Sequence, residues 1–367
     1  MSSFHSSQMR LTGNPFVDNG HFAFKTWQGK WLWQASLEEI RDFVETLLQI
    51  YSSAPWKKVL SYVFPNSPLT QTQMKNKEQI FSQRLISYIE KANEENSMGD
   101  SSFPLCSGCG SRKAQKYSYT KEYRFAYKSE VPLTGSGKMR NFFPAFLDGV
   151  TYCGYCLFAI QCSPLLYMRS QYLLLLHSNN PKVIEIWANK AISELRRQLT
   201  SSNYKGPYTE DYTNSQNALF RMAEIILQEW EEEVEEGTTQ MEVFHFTNYN
   251  QGPALEVFRL PSSLFDFLLA IKGQNLSRPW KEVVQRGFQK KGKKDEKKNF
   301  EELRKKTKNL VYHRLLQDQP ITSFFLDKST RTPYGNWQVL ELYLRKVMQM
   351  EKDYLEKVKN LGDRIST

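Results

Sequence analysis

Two cysteine pairs constrain this chain more than any other feature. Cys106 and Cys109 stand in CSGC, and Cys153 and Cys156 in CGYC, with forty-three residues between the pairs. A CxxC turn holds two sulfurs on one side at chelating distance. Two such turns brought together make a closed tetrahedral site of the kind that holds a structural zinc ion, with Zn–S near ~2.3 Å. The intervening segment must then fold back on itself. Glycines at 108, 110 and 154 suit the tight turns, and Arg112 and Lys113 are placed to offset part of the negative charge of four thiolates on one ion. A thioredoxin-type redox pair is the rival reading, but it needs only one CxxC, at a helix start in a βαβ frame. Coincidentally buried thiols are another, and an iron–sulfur cluster would use the same ligands. The fifth cysteine, Cys162, has no partner and is expected to be a buried thiol.

The rest of the chain says what such a site would brace. Its 367 residues allow two or three domains, and 40% apolar with 14% aromatic residues places it among globular chains. The formal net charge of +10 favours an anionic partner, nucleic acid before a membrane surface. No stretch reaches the ~20 apolar residues of a membrane span, because LLYMRSQYLLLLH is interrupted by Arg169, Ser170 and Gln171. The start, MSSFHSSQMR, lacks the apolar core of a signal peptide. A cytoplasmic location is therefore expected, where thiols stay reduced and paired cysteines mean metal or redox chemistry.

Periodicity outlines the elements. Gly13-Asn14-Pro15 and Asp18-Asn19-Gly20 read as turns, and the alternating aromatics of HFAFKTWQGKWLWQ read as a hairpin turning at Gln28-Gly29. SLEEIRDFVETLLQIYSS is an amphipathic helix with a capping box of Ser36 and Glu39, its apolar face formed by Leu37, Ile40, Phe43, Val44, Leu47 and Leu48. A second helix is expected around 70–95. YSYTKEYRFAY alternates like a strand. Residues 181–199 and 214–235 read as helices, MEVFHFTNY and ALEVFRLP as a hairpin joined by NQGP, and the chain beyond 262 as almost wholly helical.

Familiar catalytic patterns fail. LTGSGKMRN resembles a phosphate loop, but Pro132 stands where a glycine is required and Met139 where Ser or Thr is required. A basic loop carrying Lys138 and Arg140 that can touch phosphate and a plain solvated loop are the remaining readings. Histidines 5, 21, 177, 245 and 313 are scattered, with no HExxH, no His–Asp dyad and no GxSxG elbow. His245 reads as a structural histidine, and EWEEEVEEG as a solvated helix face. The expectation is a protein that is not an enzyme.

Two cationic segments, together with Arg112 and Lys113 beside the first cysteine pair and Lys138 and Arg140 in the basic loop, are candidate nucleic-acid contacts. QKKGKKDEKK carries Lys290, Lys291, Lys293 and Lys294, and between residues 286 and 308 eleven Lys/Arg face four Asp/Glu. Such lysines would track phosphates without reading sequence. At the expected first hairpin, Lys25, Gln28 and Lys30 would surround a tip anchored by Trp27, Trp31 and Trp33; they could enter a DNA groove or be the polar turn of an ordinary hydrophobic hairpin.

Three signatures then occur in order: LTGNPFVDNG near the start, CSGC with CGYC in mid-chain, and VFHFTNYNQGPALEVFRLP before a helical end. Together they resemble the CXXC–CXXC family of large subunits of type I CRISPR surveillance complexes, most like the I-B group, over roughly residues 11–272. The resemblance implies a subunit that recognises the protospacer-adjacent motif on duplex DNA, contacts the 5′ handle of the guide CRISPR RNA beside the handle-binding and backbone subunits, and helps open the strands. Base pairing with the guide then carries sequence specificity. It also implies Cys106, Cys109, Cys153 and Cys156 as the zinc ligands, and no base-reading residue. The chain stops at LEKVKNLGDRIST, where a helical bundle would begin, so a separate small subunit or a shortened variant is expected. The effector, a helicase–nuclease or transposition proteins, stays open.

The resulting expectation is an α+β protein with a mixed N-terminal domain, an inserted zinc-ribbon-like module and a mainly helical C-terminal region. Its segments are residues 1–102, 103–170, 171–261 and 262–367. The rival functions are a stand-alone zinc-ribbon DNA-binding regulator and a metal-dependent nuclease.

Overall fold

The structure, a computed structural model, describes residues 10–94, 103–119, 122–133, 149–210, 212–231, 237–249, 252–289, 298–326, 330, 332–333 and 336–366. It is α+β, as expected. The chain divides into two compact units: Met1–Glu210 with Phe244–Glu256, and Asp211–Val243 with Val257–Thr367. The cysteine segment belongs to the first. Among the described residues no helix is long and apolar enough to cross a membrane.

The first unit opens with α1 (Pro15–Gln28), where the sequence reading placed turns and half a hairpin. The reason lies in both ends and in the burial. Asn14 caps the helix, its side chain accepting from the backbone N–H groups of Phe16 and Val17, and Pro15 supplies a preset φ at the first position. Gly29 closes it at φ 78°, left-handed backbone suited to glycine. Between them every residue from Val17 to Phe24 is buried. A helix covered on all sides has no polar face, so the 3.6-residue signal disappears and chance alternation of aromatics imitates a strand.

The helix α2 (Leu37–Tyr51) forms with the expected Ser36–Glu39 capping box, and α3 (Ala54–Val63), not foreseen, follows. The α4 helix (Lys77–Glu94) is the one expected around 70–95. YSYTKEYRFAY forms two short antiparallel strands rather than one, β1 (Tyr117–Tyr119) and β2 (Glu122–Arg124). The centre of the unit is α5 (Gly154–Cys162), nine residues all buried. It packs against α1 and α4, and glycines permit the close approach. A Cβ on Gly20 would lie 1.7 Å from the Ala159 carbonyl oxygen, and one on Gly154 would lie 1.8 Å from that of Tyr88. Phe24 and Phe43 meet Phe158 edge-on or tilted at 6.0 and 6.2 Å between centroids.

A five-stranded sheet completes the mixed architecture. Its strands are β3 (Met168–Arg169), β4 (Leu173–Ser178), β5 (Tyr208–Thr209), β6 (Met241–Tyr249) and β7 (Gly252–Leu260), in the order β5-β3-β4-β6-β7. β3 runs antiparallel to β4 and parallel to β5. The hairpin expected from MEVFHFTNY and ALEVFRLP is β6–β7. All six residues of β4 are buried, and α6 (Pro181–Thr200) packs on it.

The second unit is helical: α7 (Ser215–Gln228), α8 (Ser262–Gly273), α9 (Ser277–Arg286), α10 (Phe300–Lys306), α11 (Leu310–Leu316), α12 (Trp337–Lys346) and α13 (Lys352–Ser366). Asn217 on α7 ties two elements together, donating to the carbonyls of Arg304 at 2.7 Å and Thr307 at 2.8 Å. Asn309 caps α11 and donates to the Val284 carbonyl at 2.8 Å.

Candidate metal centre

The Sγ atoms of Cys106, Cys109, Cys153 and Cys156 all lie within 4.8 Å of one another. Among the described residues they are the one cluster of His, Cys, Asp or Glu side chains that could hold a metal ion. The first pair sits on a tight loop. Cys106 N–H donates to the Arg112 carbonyl at 2.8 Å, Gly110 N–H to the Cys106 carbonyl at 2.8 Å, and Leu105 bridges Lys113. Gly110 holds φ 64°. Gly108 lies close against the second pair, since a Cβ there would stand 3.0 Å from Cys156 Sγ, tighter than ordinary contact.

The second pair belongs to the core helix. Cys153 is the N-cap of α5, and Cys156 lies in its first turn. The two halves are stitched by the backbone: Ser107 N–H donates to the Thr151 carbonyl at 2.6 Å, and Gln115 N–H to that of Tyr152 at 3.1 Å. The Ser107 and Thr151 hydroxyls meet at 2.6 Å. Two backbone N–H groups, of Gly108 at 3.3 Å and Cys153 at 3.1 Å, point at Cys106 Sγ, as thiolate ligands of a metal require.

Four thiols this close do not keep independent protons. Hydrogen bonds from Cys106, Cys153 and Cys156 hold the Cys109 thiol far below its usual range, while those with Cys106 and Cys109, together with burial, push Cys153 up. A metal ion relieves that competition by taking the place of the protons. Cys109 is half-buried and the other three are buried, so the donor set is closed and fits a structural ion rather than one with an open position. Cys162 is buried at the end of α5, away from this cluster, and burial pushes its thiol up. Arg112 packs its guanidinium 4.4 Å from the Tyr155 ring centroid, beside Cys156 in sequence.

LTGNPFVDNG turns out to hold this end of the unit together. The buried Asp18 carboxylate accepts from Thr12 N–H at 2.9 Å, the Thr12 hydroxyl at 2.7 Å and Gly13 N–H at 3.0 Å, and pairs with His177 Nε2 at 3.0 Å. Asn19 donates to the Leu176 carbonyl at 2.7 Å. A His–Asp pair therefore does exist, contrary to the sequence reading. Its members are 159 residues apart, and no local spacing could announce it. Both are buried, and His177 lies on β4.

The proposed groove-reading tip is not a hairpin. Lys25 and Gln28 occupy the last turn of α1, and Lys30 follows Gly29. Each side chain has a partner within the protein. Lys25 pairs with Glu185 at 2.8 Å and lies 4.7 Å from the Trp31 ring centroid, Lys30 pairs with Glu39 at 2.6 Å, and Gln28 donates to the Glu39 carbonyl at 3.3 Å. The charges answer carboxylates on neighbouring helices, which sequence distance concealed. Lys138, Arg140, Lys290, Lys291, Lys293 and Lys294 lie outside the described residues. So does most of LTGSGKMRN, as do residues 232–236 of the acidic run. His245 pairs with Glu256 at 3.1 Å.

Residues 99–168 match the family model described as CRISPR-associated protein (Cas_CXXC_CXXC). The matched segment contains all four clustered cysteines and the whole of α5. The resemblance read from the sequence is borne out at that level. No curated protein and no solved structure matches the chain.

Proposed function

From the CXXC–CXXC CRISPR-associated character of residues 99–168, we propose that this protein is the large subunit of a type I CRISPR RNA-guided DNA-targeting complex. It is a non-enzymatic nucleic-acid-binding component. It recognises the protospacer-adjacent motif, contacts the 5′ handle of the guide RNA and helps open target DNA, beside handle-binding and backbone subunits. Its metal is zinc, held by Cys106, Cys109, Cys153 and Cys156 as a structural cross-link.

The observation that carries this reading is the convergence of four sulfurs within 4.8 Å inside the segment that matches the family model. The donor chemistry supports zinc, since an all-thiolate closed set is a preferred structural site for that ion. The net charge of +10 supports a polyanionic partner. The burial of the His177–Asp18 pair, with Asp18 saturated by backbone and hydroxyl donors, supports a structural rather than catalytic role for it.

The test is purification of the assembled complex from cells that express its guide RNA. The protein should co-purify with a small RNA and further subunits, carry one zinc per chain, and bind duplexes with a correct flanking motif more tightly than duplexes without one. Equal binding to both duplexes sinks the assignment.

A further inference from the structure

The second unit contains a cavity of about 300 Å³ among α7, α8, α9, α10 and α11, at the small end of the range for ligand pockets. Four cationic side chains line it, Arg221, Lys272, Lys281 and Arg304, against two carboxylates, Glu224 and Glu301. Lys272 is committed elsewhere, since its ammonium donates to the Gln228 and Trp230 carbonyls at the end of α7. Arg304 is the unusual member. Its side chain is 4% exposed, it meets Glu224, and its buried Nε has no hydrogen-bond acceptor. Protein groups therefore leave this guanidinium incompletely satisfied, which favours an anion beside it in the cavity. Glu224 also faces Arg221 at 3.8 Å, so its single charge is shared between two guanidinium groups.

The rest of the lining is mainly apolar, and Phe300, Trp280 and Tyr312 are its aromatic members. Lys281 holds its ammonium 4.2 Å from the Phe300 ring centroid, and Trp280 is buried beside it on α9. A short acidic side chain would need no such wall. A planar aromatic ring carrying an anionic group uses both features at once, the ring against Phe300 or Trp280 and the anion on the guanidinium groups.

We propose that this cavity binds one nucleotide, base against the aromatic wall and phosphate toward Arg304 and Arg221. Either a free nucleoside monophosphate or a single unstacked nucleotide of a strand supplies that chemistry. The proposal is independent of motif recognition and of the zinc site.

The full chain is titrated calorimetrically with adenosine, guanosine, cytidine and uridine 5′-monophosphates and, separately, with a short single-stranded DNA. Binding in either arm is expected, weakened about five- to hundredfold by Arg304→Gln and by Lys281→Ala, the range of one lost stacking or charge contact. Binding of monophosphates identifies a free-nucleotide site, and binding of the strand alone identifies an extruded base. Arg304→Gln removes a buried charge and can disturb folding. Lys281 is half-exposed, so Lys281→Ala with an unchanged melting temperature keeps the test decisive. No binding in either arm, equal binding by wild type and Lys281→Ala, or Lys281-dependent binding of a glutamate-rich peptide in place of nucleotides overturns the proposal. Loss of motif-dependent targeting with nucleotide binding intact would fault the proposed function and leave this site standing.

Discussion

The two units are held together by different means. In the first, the central helix α5 begins at a candidate metal ligand, is buried on every side, and meets its neighbours through glycines at 20 and 154. In the second, short amphipathic helices are pinned by asparagines. Asn214, Asn299, Asn309 and Asn336 each cap a helix, and Asn217 crosses to two carbonyls near the end of α10. One design depends on a few contacts that nothing else replaces. The other spreads its stabilisation over many modest polar contacts, each worth about 0.5–2 kcal/mol. Damage should therefore be all-or-none in the first unit and graded in the second.

The largest effect should come from the proposed zinc ion. Cys153→Ser, or stripping the ion with a strong chelator, should remove of order 10 kcal/mol from the first unit. Hydrogen exchange would check this: the amides of α5 and α1 should lose protection together, while those of α7 and α8 keep theirs. Retained protection at α5 in metal-free protein would mean that packing alone holds the unit, and the contrast would collapse.

Next come the glycines. Gly20→Ala places a methyl group 1.7 Å from the Ala159 carbonyl oxygen, so α1 or α5 must move. The expected loss is at the upper end of about 1–3 kcal/mol, seen as a lowered denaturation midpoint. Gly29→Ala is the control for backbone strain. It meets nothing within 4 Å but keeps φ 78°, and should cost only about 1–2 kcal/mol. If both substitutions cost the same, the helix crossing is not as tight as its geometry says.

Asn217→Ala sharpens the other side. It leaves the carbonyls of Arg304 and Thr307 without a donor and should cost about 2–3 kcal/mol. Thermal melting should shift without loss of cooperativity. Abolished folding would show that the second unit is as brittle as the first.

The same contrast governs what the sequence disclosed. The amphipathic helices α7 and α9 were legible because each keeps a polar face, and α2 because Ser36 and Glu39 mark its start. The four cysteines were legible because chelation imposes a short spacing that survives in any fold. The α1 helix was not, because burial from Val17 to Phe24 erases the period, and because Asp18-Asn19-Gly20 is a helix interior whose glycine serves contact with α5 rather than a turn. Nor was the Asp18–His177 pair or the cavity around Arg304, since both are assembled from distant segments.

The smallest effect concerns the surface once read as a hairpin tip. Lys30 and Glu39 are each about 40% exposed and pair at 2.6 Å, and Lys25 pairs with Glu185 with both side chains about one-third exposed. Exposed pairs of this kind are worth about 0–1 kcal/mol after solvent screening. Lys30→Ala should lower the melting temperature by a degree or two at most, and the difference should shrink as salt is raised. Lys25→Ala should cost slightly more, because its ammonium also faces the Trp31 ring at 4.7 Å. If these residues serve only such pairs, flanking-motif binding by the assembled complex stays at wild-type level in both variants. A marked loss of motif-dependent affinity, with melting unchanged, would mean that the end of α1 releases its carboxylate partners when it meets DNA, and would restore it as a reading element on a helix rather than a hairpin.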